Sequence, residues 1–237
     1  EVKTSEEEKP FLKDDLEDKI QEDIRKFFDS RKFYDDNKLS YKRGLLLYGP
    51  PGNGKTSLIR TILKNIKDEA FCVLVDCKKS FEHDSESFLK SVLSDEKKII
   101  VFEDIDALES YERSHFLNFL DGINTFENTV FIATTNDMTN VDYALIDRPS
   151  RFDSVYKIDL PVAEIRRKLI DKFFPEEDEE TKKEAVKMTE GFSGAYFKEL
   201  FICKNLNEEE LLETIGKIKT QMINYKKFKD DNSSYLG

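Results

Sequence analysis

Eight residues, Gly49-Pro50-Pro51-Gly52-Asn53-Gly54-Lys55-Thr56, constrain the fold more than any other stretch of this 237-residue chain. They fit the pattern G-x-x-x-x-G-K-[ST]. The apolar run Leu45-Leu46-Leu47-Tyr48 precedes them, and Ser57-Leu58-Ile59-Arg60-Thr61-Ile62-Leu63 follows with helical spacing of its apolar positions. That order, strand then glycine-rich loop then helix, is the context the pattern needs. Glycines let the backbone curl until successive N–H groups point inward, and the helix N-terminus adds partial positive charge. Such a cradle suits phosphate oxygens. Lys55 would reach the β/γ-phosphates and the Thr56 hydroxyl would ligate Mg²⁺, with Ser57 in the same first turn. Residues 49–57 are therefore the candidate site for a nucleoside triphosphate, with Mg²⁺ as the accompanying ion.

Composition narrows what surrounds that loop. The length suits one or two domains with a real hydrophobic core. Hydrophobic residues make up 38% and charged residues 37%, and the net charge is −11. That acidic balance argues against a protein whose main task is gripping nucleic-acid backbones. Cys72, Cys77 and Cys203 have no zinc-finger spacing, and His83 and His115 lie far apart, so a metal site built from them is not expected. An odd cysteine count fits a reducing compartment, here the cytoplasm. No apolar run reaches the roughly 18 residues of a membrane span, and no signal peptide is visible. A start at Glu1 rather than Met points to a piece of a longer protein.

Along the chain, residues 1–10 are acidic and expected to fray. Residues 12–28 carry apolar positions at helical spacing. They fit an amphipathic helix that could pack on the core or on a neighbour. Residues 33–42 read as a connector. Strands at 45–48, 71–76, 99–102, 130–134 and 156–159 then alternate with helices from 55, at 85–93, around 113–120 and near 141–146. This alternation predicts an α/β fold with a parallel five-stranded sheet covered on both faces. After residue 160 the strands stop. Helical patterns at 163–174, 181–189, 193–203 and 208–225 predict a small helical domain over 161–225, with an α/β core over 11–160. The acidic run at 176–180 reads as a solvated loop and helix start, Arg166 and Arg167 as solvent-facing, and 226–237 as a weakly ordered tail.

The run Ile99-Ile100-Val101-Phe102-Glu103-Asp104-Ile105-Asp106 adds the second half of a nucleotide site. Four apolar residues ending in carboxylates describe a buried strand that delivers charge at its C-terminal edge, where ligands bind in open parallel sheets. One carboxylate can hold Mg²⁺ and its neighbour can orient the attacking water. With the loop at 49–56, this strand resembles the AAA family of ATPases. The family's usual ending is Asp-Glu, and this chain has Glu103-Asp104. That order is similar to the branch of the mitochondrial chaperone that translocates the Rieske iron–sulfur protein. The approach Tyr41-Lys42-Arg43-Gly44 and the run Leu117-Asn118-Phe119-Leu120-Asp121-Gly122 are similar to it as well.

The resemblance implies residue roles. Glu103 would take the metal role and Asp104 the water-orienting role. Val130-Phe131-Ile132-Ala133-Thr134-Thr135-Asn136 resembles the strand ending in the sensor 1 Asn, so Asn136 would touch the attacking water or a γ-phosphate oxygen. The segment 142–153 is similar to the one carrying paired arginine fingers, which implies that Arg148 and Arg151 reach a neighbouring subunit's site. Thr189-Glu190-Gly191-Phe192-Ser193-Gly194-Ala195 resembles the entry to the third lid helix, placing Gly194 and Ala195 against adenine and ribose. Phe81 would fall near the family's pore aromatic, in a sequence that departs from the usual pattern.

Members of the family are usually hexamer or heptamer rings that act on protein substrates. The resemblance therefore implies a homo-oligomeric, Mg²⁺-dependent ATPase that binds ATP/ADP and remodels or translocates protein, with nucleic acid not expected as a partner. Asp104 is one methylene shorter than Glu, about an ångström of reach at a site sensitive on that scale. An alternative follows from it: a slow-hydrolysing ATP-dependent switch or assembly scaffold.

Overall fold

The structure is a computed structural model that describes residues 15–75, 96–121, 127–141 and 151–233. Five strands, β1 (Lys42–Tyr48), β2 (Phe71–Val75), β3 (Lys98–Phe102), β4 (Thr129–Thr135) and β5 (Ser154–Lys157), form one sheet in the order β2-β3-β4-β1-β5. Every pairing is parallel. From β1 the chain crosses to the far edge at β2, and β3 and β4 step back toward it. The end of β4 therefore lies beside the end of β1, the kind of switch point where open sheets bind ligands. Helices α1 (Leu16–Phe28), α2 (Arg31–Asp36), α3 (Lys55–Ile66) and α4 (Ser110–Asp121) complete the described part of this unit.

Period-two alternation sorts the strand side chains onto two faces. Leu45, Leu47, Ile99, Val101, Val130 and Ile132 pack with Leu58, Ile59, Ile62 and Ile66 of α3 and with Ile20, Ile24, Phe27 and Phe28 of α1. Leu46, Ile100, Phe102, Phe131 and Ala133 face the other way, onto Phe116, Phe119 and Leu120 of α4. Both faces are covered, so the strands are apolar almost throughout.

This settles where α1 goes: it packs on its own core beside α3. Polar contacts fix its register. The Tyr41 hydroxyl lies 3.0 Å from the carbonyl oxygen of Phe27 and 2.9 Å from that of Phe28. The Asp23 carboxylate accepts from Arg43, Ser154 and Tyr156, the last two at 2.9 and 2.8 Å. Burial and the Asp23 contact push the Tyr156 phenol up to about 12. One carboxylate thus ties α1 to both β1 and β5.

Several expected boundaries move. β1 begins at Lys42, because Lys42 and Arg43 reach Leu120 and Asp23 from the sheet's rim and lose nothing by being strand residues. The connector over 33–42 contains most of the short helix α2. β5 lies two residues earlier than its apolar pattern suggested.

The chain divides after Asp159 into a second compact unit. Its helices are α5 (Ala163–Phe173), α6 (Glu179–Met188), α7 (Gly194–Asn207) and α8 (Leu211–Ser233). Buried Ile165, Leu169, Phe174, Phe192, Phe197, Leu211 and Ile215 supply its core. In the acidic run, Asp178 caps α6 by accepting from the amides of Glu180 and Thr181, and these hydrogen bonds hold its carboxyl below the usual range. Glu176 and Glu177 pair with Lys204. Arg167 is solvent-facing as expected, and only Arg166 turns inward. Arg166 donates to the carbonyls of Val186 and Pro161, and Arg167 pairs with Asp171 and Glu179. Phe173 packs against Phe201. The tail expected to be weakly ordered is helical as far as Ser233, since residues 217–233 contain neither Gly nor Pro to stop α8.

Candidate nucleotide site

The loop from Gly49 to Gly54 joins β1 to α3 at the C-terminal edge of the sheet. Gly49, Gly52 and Gly54 have φ of +151°, +76° and +86°, a region that side chains rarely adopt. At Gly49 a Cβ would also fall 2.0 Å from the carbonyl oxygen of Ile158, so the loop can start here only with glycine. The Gly49 amide donates to Thr135 O of β4 at 3.3 Å, and Ile158 N donates to Tyr48 O at 2.7 Å. Neighbours on both sides therefore brace the loop's first residue. Pro50 and Pro51 follow, and Asn53 is buried. Thr56 and Ser57 lie in the first turn of α3, half-buried.

Lys55 is 6% exposed. Its ammonium donates to Gly49 O at 2.7 Å, Pro50 O at 3.2 Å and Asn136 Oδ1 at 2.7 Å, which uses all three of its protons. Burial lowers the Lys55 ammonium below its ordinary value, and the carboxylates of Asp104 and Asp106 oppose that fall. Asn136 in turn donates through Nδ2 to Asp104 Oδ1 at 2.9 Å. Lysine, amide and carboxylate, from the start of α3 and the ends of β4 and β3, thus form one hydrogen-bonded chain.

Two further bonds at this edge were not anticipated. The Asp104 amide donates to Thr134 Oγ1 at 2.9 Å, and the Asn136 amide donates to Asp106 Oδ1 at 3.0 Å. Asp106 stood in the carboxylate run and Thr134 in the Asn-ending strand, yet only the adjacency of β3 and β4 gives them partners. Asp104 itself has φ +53° and ψ +52°, the left-handed region, which costs a non-glycine residue roughly 1–2 kcal/mol.

Glu103 Oε1 is buried and has no hydrogen-bond partner. A buried carboxylate oxygen in that state is costly unless a donor or cation meets it. With the Thr56 hydroxyl near the start of α3, the available donors are hard oxygens, the chemistry Mg²⁺ takes. Among the described residues no group of three or more His, Cys, Asp or Glu side chains could hold a metal by itself. Mg²⁺ bound beside phosphates needs only one or two protein oxygens. The residues present fit the ion.

The remaining expected residues fall elsewhere. Arg148 and Phe81 lie outside the described residues. Arg151 opens the described stretch before β5 and is 3% exposed. Its backbone lies against β1: a Cβ on Gly44 would come within 1.7 Å of the Arg151 carbonyl oxygen, and Asp153 exchanges two hydrogen bonds with the Gly44 backbone. Gly194 and Ala195 open the first turn of α7 in the second unit, Ala195 exposed.

Residues 45–160 match the model of the AAA family, described as the ATPase family associated with various cellular activities. Among curated proteins, the chain is 35% identical over 159 residues to the mitochondrial chaperone BCS1 of Homo sapiens, covering 60% of this chain and 37% of that protein. It is 28% identical over 243 residues to the probable mitochondrial chaperone BCS1-B of Dictyostelium discoideum, covering 84% of this chain and 52% of that one. The chain therefore spans about half or less of these relatives' length. Among solved structures, the FIGL-1 AAA domain in complex with ADP superposes with a TM-score of 0.61 at 24% identity, over 81% of this chain and 70% of that one, a likeness in fold. The family match runs from β1 through the glycine loop, the carboxylate pair and the Asn136 strand end, and over residues 45–160 this chain is an AAA-family ATPase domain.

Proposed function

We propose that this domain binds ATP with Mg²⁺, hydrolyses it, and uses the cycle within a ring of identical subunits to remodel or translocate a protein substrate. The observation that carries the reading is the hydrogen-bonded chain Lys55–Asn136–Asp104 beside an orphaned Glu103 oxygen. A structural turn needs no such convergence of ammonium, amide and two carboxylates.

The roles follow from the chemistry. Loop amides from Gly49 to Thr56 surround the phosphates, and Lys55 exchanges its two carbonyl partners for phosphate oxygens. Glu103 and Thr56 would hold Mg²⁺, which neutralises charge on the phosphates when bound. Asp104 orients and polarises the attacking water, and Asn136 fixes its position from the opposite side. Gly194 and Ala195 would contact the nucleoside. Arg148 would reach a neighbouring subunit's γ-phosphate, where an always-charged bidentate fork suits a dissociative transition state. The relatives' names as chaperones support a protein substrate.

A second reading, a slow ATP-dependent switch, is favoured by one feature. Asp104 is a short carboxylate whose Oδ1 is already engaged by Asn136. Steady-state hydrolysis measured against protein concentration separates the two. A motor shows turnover per subunit that rises with assembly and drops to background in Arg148→Ala. Nucleotide-dependent assembly with almost no turnover would establish the switch, and a rate independent of concentration and of Arg148 would remove the ring from the account.

A further inference from the structure

We propose that Thr134 and Asp106 are positioning residues that clamp the ends of β3 and β4 together and thereby set where the short carboxylate of Asp104 and the amide of Asn136 meet the substrate. The inference rests on the reading of Asp104 and Asn136 as the water-handling pair.

The parallel ladder between the two strands ends at Phe102↔Ala133. Past that pair no ladder bond joins the two strands; β4 stays laddered to β1 through Thr135, while the β3 side has no such support. Two bonds in opposite senses replace the ladder there. Asp104 N–H from the β3 side reaches Thr134 Oγ1, and Asn136 N–H from the β4 side reaches Asp106 Oδ1. Each spans 30 residues of sequence and joins a backbone amide to a side chain of the other segment. Thr134 is 1% exposed, so its hydroxyl sits in fixed packing.

The consequence is specific to this carboxylate order. Asp104 cannot extend toward water by adding a methylene, so its reach depends on where its Cα sits. Its left-handed backbone is strained, and strain of that kind persists only when surrounding contacts over-determine it. The Thr134 bond takes up the Asp104 amide, and Ala107 N–H takes up the Asp104 carbonyl at 2.9 Å. On the other side, Asp106 fixes the backbone of Asn136, whose side chain then spans Lys55 and Asp104. Removing either clamp bond lets the pair drift apart while the phosphate cradle on β1 stays intact.

The test compares Thr134→Val, Asp106→Ala and Asp106→Asn with wild type, reading kcat, affinity for a fluorescent ADP and thermal unfolding. Thr134→Ala replaces valine where that variant fails to fold. The clamp predicts kcat lower by about 10- to 100-fold in Thr134→Val and Asp106→Ala, with ADP affinity within about twofold of wild type. Asp106→Asn keeps an acceptor and should retain activity. Adding Asp104→Glu to Thr134→Val should recover part of the lost kcat, because a longer side chain relaxes the demand on backbone position. Unchanged kcat in folded Thr134→Val and Asp106→Ala overturns the clamp alone, provided Asp104→Ala is inactive. Losses of kcat and ADP affinity in parallel reduce these residues to general stability and also overturn it. If Asp104→Ala itself turns over normally, the reading of the site falls and the clamp with it.

Discussion

The two ends of the sheet are built from the same strands and differ in what they leave unfinished. At the N-terminal ends most polar groups among the described residues close on protein, the buried Arg43 Nε and the positive φ of Asn128 being exceptions. The Tyr41 hydroxyl is within hydrogen-bonding distance of two α1 carbonyls, Lys42 reaches Leu120 O, Asn128 N–H binds Tyr41 O, and Lys98 N–H binds Asn128 O. At the C-terminal ends three glycines and Asp104 hold positive φ, a lysine is bound by its own loop, and a glutamate oxygen has no partner. Strain and unmet polarity gather where a ligand can resolve them. The N-terminal end chiefly stabilises the fold, and the C-terminal end is the candidate site.

Breaking the unfinished end should remove chemistry and spare the fold. Asp104→Asn keeps the shape and the contact with Asn136 but loses a base, so kcat should fall at least about 100-fold while thermal unfolding stays near wild type. Rapid-quench measurement of phosphate release checks it; retained turnover would move the water-handling role elsewhere.

Breaking the finished end should do the reverse. Tyr41→Phe deletes a buried hydroxyl whose one proton lies within reach of two carbonyls, a loss of about 1 kcal/mol in denaturant unfolding. Nucleotide affinity should not change. A drop in affinity would show that the two ends are coupled, contrary to the comparison.

The smallest effect concerns Cys72, on the edge strand β2. Burial pushes its thiol up from an ordinary 9.0 to about 11. The unfolded chain releases this proton from about pH 9, while the folded chain keeps it to about pH 11. Stability is therefore lost as pH rises through that window. Cys72→Ala should be flatter than wild type between those values when unfolding free energy is followed against pH. Identical slopes would mean the thiol is less enclosed than β2 implies.

The same contrast explains what the sequence discloses. The phosphate cradle is contiguous, so residues 49–57 reveal it without knowledge of the fold. Glu103 and Asp104 are legible because a buried strand advertises its own end, and Asn136 for the same reason. The bonds of Thr134 and Asp106 are not legible, since they exist only because β3 and β4 are neighbours. Nor is the place of α1: the Asp23 carboxylate meets Ser154 and Tyr156 across 131 and 133 residues. The close approach of the Arg151 backbone to β1 had one available signal, Gly44, a glycine inside a strand. The helical end of α8 was underestimated because residues 226–233 carry a single apolar side chain, Phe228, too few to show a helical period.

Calorimetric titration of Mg–ATP into the wild-type domain and into Lys55→Met tests the central claim most directly. The account predicts saturable one-site binding in the wild type and loss of at least about 100-fold in affinity without the ammonium, which makes charge-assisted bonds to phosphate. No heat from the wild type, or equal affinity in the two proteins, would contradict it.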